Sequence, residues 1–201
     1  MTMLPDKMQN PDMEARSYRD WHIPFAQGNI TLREGLSSLN KLGADDEEIP
    51  LIIRLVENPQ GLKIFPGCVS LKQHDCIHLI LGRGLLPKDE AFVIGFTMGS
   101  TKQMSTWDEK AFSWISNHLY PDIYRFDRED TQVFQDAVRL AAISHCQPLD
   151  KVDFEPLLDN RLSDIRHQLG IEEILLEAYF SIEKSRYPLA KECQRLISEA
   201  H

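Results

Sequence analysis

The stretch 74–90, with the sequence HDCIHLILGRGLLPKDE, constrains the fold more than any other part of this chain. Its first half is apolar and ends at Gly82-Arg83-Gly84, a pattern that terminates a helix. Pro87 follows at a distance suited to the first turn of a second helix. The sequence therefore predicts two consecutive helices, which can fold back on each other as an antiparallel hairpin.

Helix signals also dominate the rest of the chain, and the alternating patterns typical of strands are missing. Thr31 and Glu34 form a capping box before leucines at helical spacing, with Gly43 as the C-terminal cap. Further helices are expected over about 45–56, 106–120, 128–146, 153–169, 171–184 and 189–200. The first, second and fourth of these have N-terminal caps, namely Asp45 or Asp46, the Thr106–Glu109 capping box, and Asp153. A connecting loop is expected at 61–67.

These patterns predict an all-α fold, a single-domain helical bundle over residues 14–201. Residues 1–13 contain four methionines and two prolines without periodicity, so we expect a flexible N-terminal tail there. The four cysteines are far apart in the sequence and form no C-x-x-C pair, so we expect buried free thiols in a reducing compartment.

The charge of the chain excludes some partners. Lys and Arg number 22 and Asp and Glu number 31, which gives a net charge of −9. Such a charge, without a basic cluster, argues against nucleic acid and against electrostatic binding to anionic lipids. No apolar run reaches the roughly 18 residues of a spanning helix. Without a secretory or transit signal at the N-terminus, we expect a cytoplasmic protein.

The same stretch carries the candidate chemistry. His74 and His78 are four residues apart, so both imidazoles lie on one helix face, and Asp75 lies at the edge of that face. In an antiparallel hairpin, Glu90 becomes level with both histidines. Two imidazoles and two carboxylates suit Zn²⁺ best, and Fe²⁺, Mn²⁺ or Mg²⁺ are alternatives. The competing interpretation is a pair of hydrogen-bonded core histidines beside an exposed aspartate.

Three familiar metal motifs do not fit. The zinc-protease helix H-E-x-x-H needs a glutamate where this chain has Asp75. The adjacent His-Asp pair of metal phosphohydrolases needs a closer upstream histidine than His22. Di-iron bundles need two Glu-x-x-His motifs, and the chain has none.

The pattern of His74, Asp75, His78 and Glu90 resembles H-D-x-x-H-(x)11-E, the motif of the coenzyme Q (ubiquinone) biosynthesis family whose eukaryotic member is the fourth-numbered coenzyme Q assembly protein. The chain is similar to a diverged bacterial member. The resemblance implies an all-helical homodimer that binds a divalent metal, usually zinc, through these four residues. It also implies binding of polyprenylated aromatic precursors at the membrane surface, replacement of a ring carboxyl by hydroxyl, and association with other quinone-biosynthesis enzymes.

Several alternatives stay open at this point. The protein is either an enzyme of that pathway, a lipid-binding or scaffold protein with a structural metal, or a metal-dependent hydrolase of another small substrate. The apolar residues after Glu90 either wall a prenyl pocket or belong to the core: Phe92, Val93, Phe96 and Met98. Arg83 either meets an anionic substrate group or is exposed. Membrane contact, at the inner face, would be weak, peripheral and hydrophobic.

Overall fold

The computed structural model describes residues 20–40, 69–103 and 126–197. These residues contain no strand, and the all-α prediction is confirmed. The seven described helices are α1 (Leu32–Asn40), α2 (Leu71–Leu81), α3 (Pro87–Ser100), α4 (Arg128–Ile143), α5 (Leu162–Leu169), α6 (Glu173–Arg186) and α7 (Lys191–Gln194). Two 3₁₀ turns, Leu149–Lys151 and Glu155–Leu157, separate α4 from α5.

The hairpin predicted from the sequence is formed by α2 and α3. Helix α2 begins with a capping box, in which the Ser70 hydroxyl accepts from the Gln73 backbone N–H and the Gln73 side chain accepts from Ser70 N–H. It ends at Gly82, whose φ of 63° lies in the left-handed region that favours glycine. Pro87 occupies the first turn of α3, as predicted.

Helix α3 is buried along almost its whole length, and α4 packs closely against it. Two glycines of α3 permit this approach. A Cβ atom on Gly95 would lie 2.4 Å from the Phe134 carbonyl oxygen, and one on Gly99 would lie 2.3 Å from the Val138 carbonyl oxygen. Because a real Cβ cannot come so close to backbone atoms, these two positions need glycine.

Two predicted helices differ from the structure. The Asp153 carboxylate accepts from the Glu155 backbone N–H, but only a 3₁₀ turn follows, and α5 begins at Leu162. The Leu162 and Ser163 N–H groups donate to the carbonyls of Ile30 and Gly28, so tertiary contacts fix the start of this helix.

The helix expected over 189–200 is also wrong in the described part of the chain, where only Lys191–Gln194 is helical. The Gln194 amide donates to the carbonyls of Lys184 and Tyr187 at the end of α6, and Arg195 reaches Asp89 on α3. These side-chain contacts fix a short, irregular segment instead of a regular helix.

Other local predictions are confirmed. Thr31 and Glu34 form a capping box before α1, α4 and α6 lie where expected, and α5 ends at Gly170 in the left-handed region. None of the described helices combines the length and apolarity that a membrane-spanning helix needs. The predictions that fall outside the described residues concern the tail 1–13, the Gly43 cap, the helices at 45–56 and 106–120, and the loop 61–67.

Candidate metal centre

The α2–α3 hairpin brings His74, His78 and Glu90 together. Their side chains are 0–5% exposed, and each offers a ligand atom within 4.8 Å of the other two. The two imidazole centroids lie 4.5 Å apart. This is the one group of three or more metal-ligating side chains found among the described residues, and it could hold a metal ion.

The polar atoms of these three side chains lack ordinary partners. Both ring nitrogens of each histidine and both oxygens of Glu90 are buried without a hydrogen bond among the described residues. Each imidazole Nε2 instead lies 3.4 Å from a Glu90 oxygen. A buried unsatisfied polar group costs about 1–3 kcal/mol, so such a cluster is costly unless a ligand compensates it.

The spacing of these atoms suits a small cation. Zinc bonds to nitrogen and oxygen are about 2.0–2.1 Å long, and in a tetrahedral site two such ligands stand about 3.4 Å apart. His74 Nε2 lies at that separation from Oε2 of Glu90, and His78 Nε2 lies at the same separation from Oε1. The residues present therefore fit a divalent metal in donor chemistry, burial and spacing.

The pKa values of the three side chains shift in different directions. Burial, together with the neighbouring His78, lowers the pKa of His74 to about 4 against the opposing effect of Glu90, so the ring of His74 is neutral at pH 7. Burial also opposes the charged form of His78, but the carboxylates of Glu90, Asp75 and Asp89 together outweigh it, and the pKa of His78 lies above its ordinary value. Burial opposes ionisation of Glu90 too, but the two histidines hold its pKa below the ordinary value.

Asp75 was predicted as a fourth ligand, but the structure does not bring it into this group of three. Its side chain is partly buried on α2, and its carboxylate raises the pKa of His78 electrostatically. Cys76 is buried and outside the group, as expected from its position on the helix. It is a free thiol, like Cys146 and Cys193. His145 and His167 are exposed, and His118 lies outside the described residues.

Sequence reasoning missed an ionic cluster that holds the hairpin turn. Arg83 is fully buried and donates two hydrogen bonds to Glu183 of α6, at 2.9 and 2.7 Å. Neither alternative considered for this arginine, exposure or contact with a substrate, describes its environment. Asp89, next to Glu90, accepts from Arg195 at 2.6 Å. The two residues of each ion pair are about 100 positions apart in the chain. The one sequence feature that marks this place is the unusual Gly-Arg-Gly turn.

The apolar residues that follow Glu90 belong to the core. Phe92 stacks on Phe96 and on Tyr179, with ring centroids 5.8 and 5.4 Å apart. The Arg83 guanidinium lies over the Phe92 ring, 3.8 Å from its centroid. Val93 and Met98 are buried as well. The described contacts of these side chains are those of a packed core, the second of the two alternatives.

Comparisons with known proteins bear on none of these assignments. No protein-family model, curated protein or solved structure matches the chain. Any assignment of function therefore rests on the residues themselves and their geometry.

Proposed function

We propose that this chain is a metal-binding protein in which His74, His78 and Glu90 hold one Zn²⁺ ion, and that it serves the biosynthesis of prenylated quinones. The observation that carries the metal assignment is the buried, unsatisfied set of ring nitrogens and carboxylate oxygens between α2 and α3. A hydrogen-bonded pair of core histidines would not leave these atoms without a hydrogen bond among the described residues.

The donor set supports zinc over the alternatives. Two imidazoles and one carboxylate make up a common zinc ligand set, whereas Mg²⁺ prefers oxygen ligands and retains several waters. Fe²⁺ and Mn²⁺ bind the same ligand types, and Zn²⁺ binds such sites more tightly in the usual order of divalent ions. The group has three ligands, which leaves a further coordination position in a tetrahedral site.

The substrate class rests on the motif H-D-x-x-H-(x)11-E alone. We propose that a polyprenylated aromatic precursor binds beside the hairpin and that its ring carboxyl is replaced by hydroxyl. The carboxyl carbon leaves as CO₂ and dioxygen supplies the hydroxyl oxygen, while the second oxygen atom leaves as water with two electrons and two protons from an external reductant, because zinc itself is redox-inert. A bound zinc ion would supply Lewis-acid polarisation of an oxygen of the head group. The chain itself would contribute a neutral His74 ring and a site shielded from water.

A non-catalytic role is the second candidate, and the burial of the ligands favours it. Side chains of 0% and 5% exposure suit a structural metal that joins α2 to α3. The protein would then present a prenyl lipid or organise partner enzymes. In either role, we propose weak peripheral contact with the cytoplasmic membrane face, and the net charge of −9 favours apolar over electrostatic contact.

Two measurements test this proposal. Mass spectrometry of the protein purified from a quinone-producing host should find a prenylated aromatic lipid in amounts that approach the protein concentration. If none is present, the lipid assignment is refuted for both roles.

Turnover then separates the two roles. If Glu90→Ala abolishes conversion of the precursor while folding and lipid binding persist, the catalytic role is supported. If the variant restores quinone synthesis in a deficient strain as well as the parent chain does, the catalytic role is refuted. Ile143→Ala, which changes an exposed side chain on α4, is the matched control.

A further inference from the structure

The first turn of α3 carries three consecutive charged side chains, and all three are buried. Lys88, Asp89 and Glu90 are 6%, 0% and 4% exposed. Successive residues of an α-helix point about 100° apart, so these side chains leave the helix in three different directions. A buried charge needs a partner, and each of the three faces a different part of the chain. The partners of Lys88 and Asp89 therefore fix the direction in which Glu90 points.

Glu90 depends on its neighbours for its position. Both of its oxygens are buried without a hydrogen bond among the described residues, so no hydrogen bond of its own holds the carboxylate in place. On one side, the Lys88 ammonium lies 3.2 Å from the Asp130 carboxylate of α4. On the other, Asp89 accepts a hydrogen bond of 2.6 Å from Arg195, which follows α7. These two ion pairs hold the turn of backbone from which Glu90 projects.

Arg195 reaches Asp89 across the turn of the hairpin. A Cβ atom on Gly84 would overlap the Arg195 guanidinium, and it would lie 2.7 Å from the Trp21 carbonyl oxygen. The missing side chain of Gly84 is therefore what lets the guanidinium come this close to the turn. Arg195 is 106 positions from Asp89 in the chain, so the contact ties the segment after α7 to the hairpin that carries the three ligands.

We propose that Arg195 is a positioning residue of the metal centre. Its ion pair with Asp89, made beside Gly84, fixes the first turn of α3 and thereby keeps Glu90 level with the two histidines of α2. This inference rests on the metal binding proposed above. It adds that a residue outside the group of three determines how tightly the ion is held.

Zinc titration of the full chain against a competing chelator tests the proposal. Arg195→Met removes the guanidinium and should raise the zinc dissociation constant by about tenfold or more, the usual effect of losing an outer contact of a metal site. Charge alone predicts the opposite result, because the loss of a nearby cation favours the binding of another cation. Arg83 stays 3.9 Å from the other Asp89 oxygen, so the buried carboxylate keeps a counter-charge in the variant.

Gly84→Ala tests the same contact without changing any charge. Its Cβ displaces the Arg195 guanidinium from Asp89, so the dissociation constant should rise by a similar factor. The double variant should bind zinc no more weakly than Arg195→Met alone, because both changes remove one ion pair. If Arg195→Met is unfolded by circular dichroism, Gly84→Ala alone carries the test, with the same expected loss.

Leu149→Ala is the control for a general loss of stability. Leu149 is fully buried, and its backbone N–H donates to the Ser100 hydroxyl at the far end of α3, about 15 Å of helix from Glu90. This variant should unfold at a lower urea concentration than the parent and yet bind zinc with the affinity of the parent. The visible spectrum of bound Co²⁺ reports ligand geometry, so it should change in Arg195→Met and Gly84→Ala and stay unchanged in Leu149→Ala.

Three results would overturn the proposal. The first is a parent chain that binds zinc no more tightly than Arg195→Met or Gly84→Ala. The second is an equal loss of affinity in Leu149→Ala, which would make the effect one of stability alone. The third is a double variant in which the two losses multiply, which would assign them to separate contacts. A parent chain that binds no zinc refutes the proposed metal site and this inference with it, so the two failures are distinguishable.

Discussion

Glu90 and Glu183 are both buried glutamates, and the structure predicts opposite results when each is replaced by glutamine. Glu183 accepts two hydrogen bonds from Arg83, a fully buried guanidinium that cannot lose its proton. Glu90 instead faces two imidazoles, of which His74 is neutral at pH 7 and His78 can become neutral by releasing its proton to water. The two variants therefore differ in whether an uncompensated charge remains in the core.

We expect Glu183→Gln to destabilise the metal-free protein by about 3–5 kcal/mol, the usual cost of breaking a buried ion pair from one side. Glu90→Gln should change the stability of the metal-free protein by no more than about 1 kcal/mol, because His78 becomes neutral once the carboxylate is removed. Zinc at 1,000 times its dissociation constant should stabilise the parent chain by about 4 kcal/mol. For a chain of this length, that stabilisation raises Tm by about 8–16 °C.

The assay is thermal and urea unfolding of the three proteins, each with and without buffered zinc. The increment produced by zinc should persist in Glu183→Gln, despite its lower starting stability, and should disappear in Glu90→Gln. Equal zinc increments in the parent and in Glu90→Gln would refute the assignment of Glu90 as a ligand. A Glu183→Gln variant as stable as the parent would refute the account of the buried arginine.

Three further results are expected. Zinc binding should release protons and weaken as the pH falls through the raised pKa of His78, because the ion displaces the proton held there. Calorimetry in buffers of different ionisation enthalpy measures this release. Asp75→Asn should lower zinc affinity less than tenfold in the same titration, because Asp75 lies outside the group of three. A loss of affinity as large as that of Glu90→Gln would make Asp75 a ligand. Gly95→Ala should destabilise the fold by about 3 kcal/mol in urea unfolding, because its Cβ would lie 2.4 Å from the Phe134 carbonyl oxygen; an unchanged midpoint would contradict the close packing of α3 on α4.

The features that could be predicted from the sequence are those governed by local chemistry. Gly82 ends α2 because it adopts a positive φ, Pro87 begins α3 because its ring suits the first turn, and helical periodicity then brings Glu90 level with His74 and His78.

What could not be predicted depends on contacts between distant parts of the chain. The buried partner of Arg83 is Glu183, 100 residues later, and no local pattern joins them. The start of α5 likewise depends on the carbonyls of Ile30 and Gly28, which outweigh the local cap at Asp153. The position of Asp75 outside the group of three is a different case, because it follows from local spacing, which places this residue only at the edge of the ligand face.

The most direct test of the metal centre is the metal content of the purified protein. Elemental analysis after gel filtration in a weak chelator should find one zinc ion per parent chain and less than about one tenth of that in His78→Ala, with His145→Ala, an exposed histidine outside the site, as the control. A parent chain without metal that also fails to bind added Zn²⁺, or equal zinc in the parent and in His78→Ala, would contradict the account.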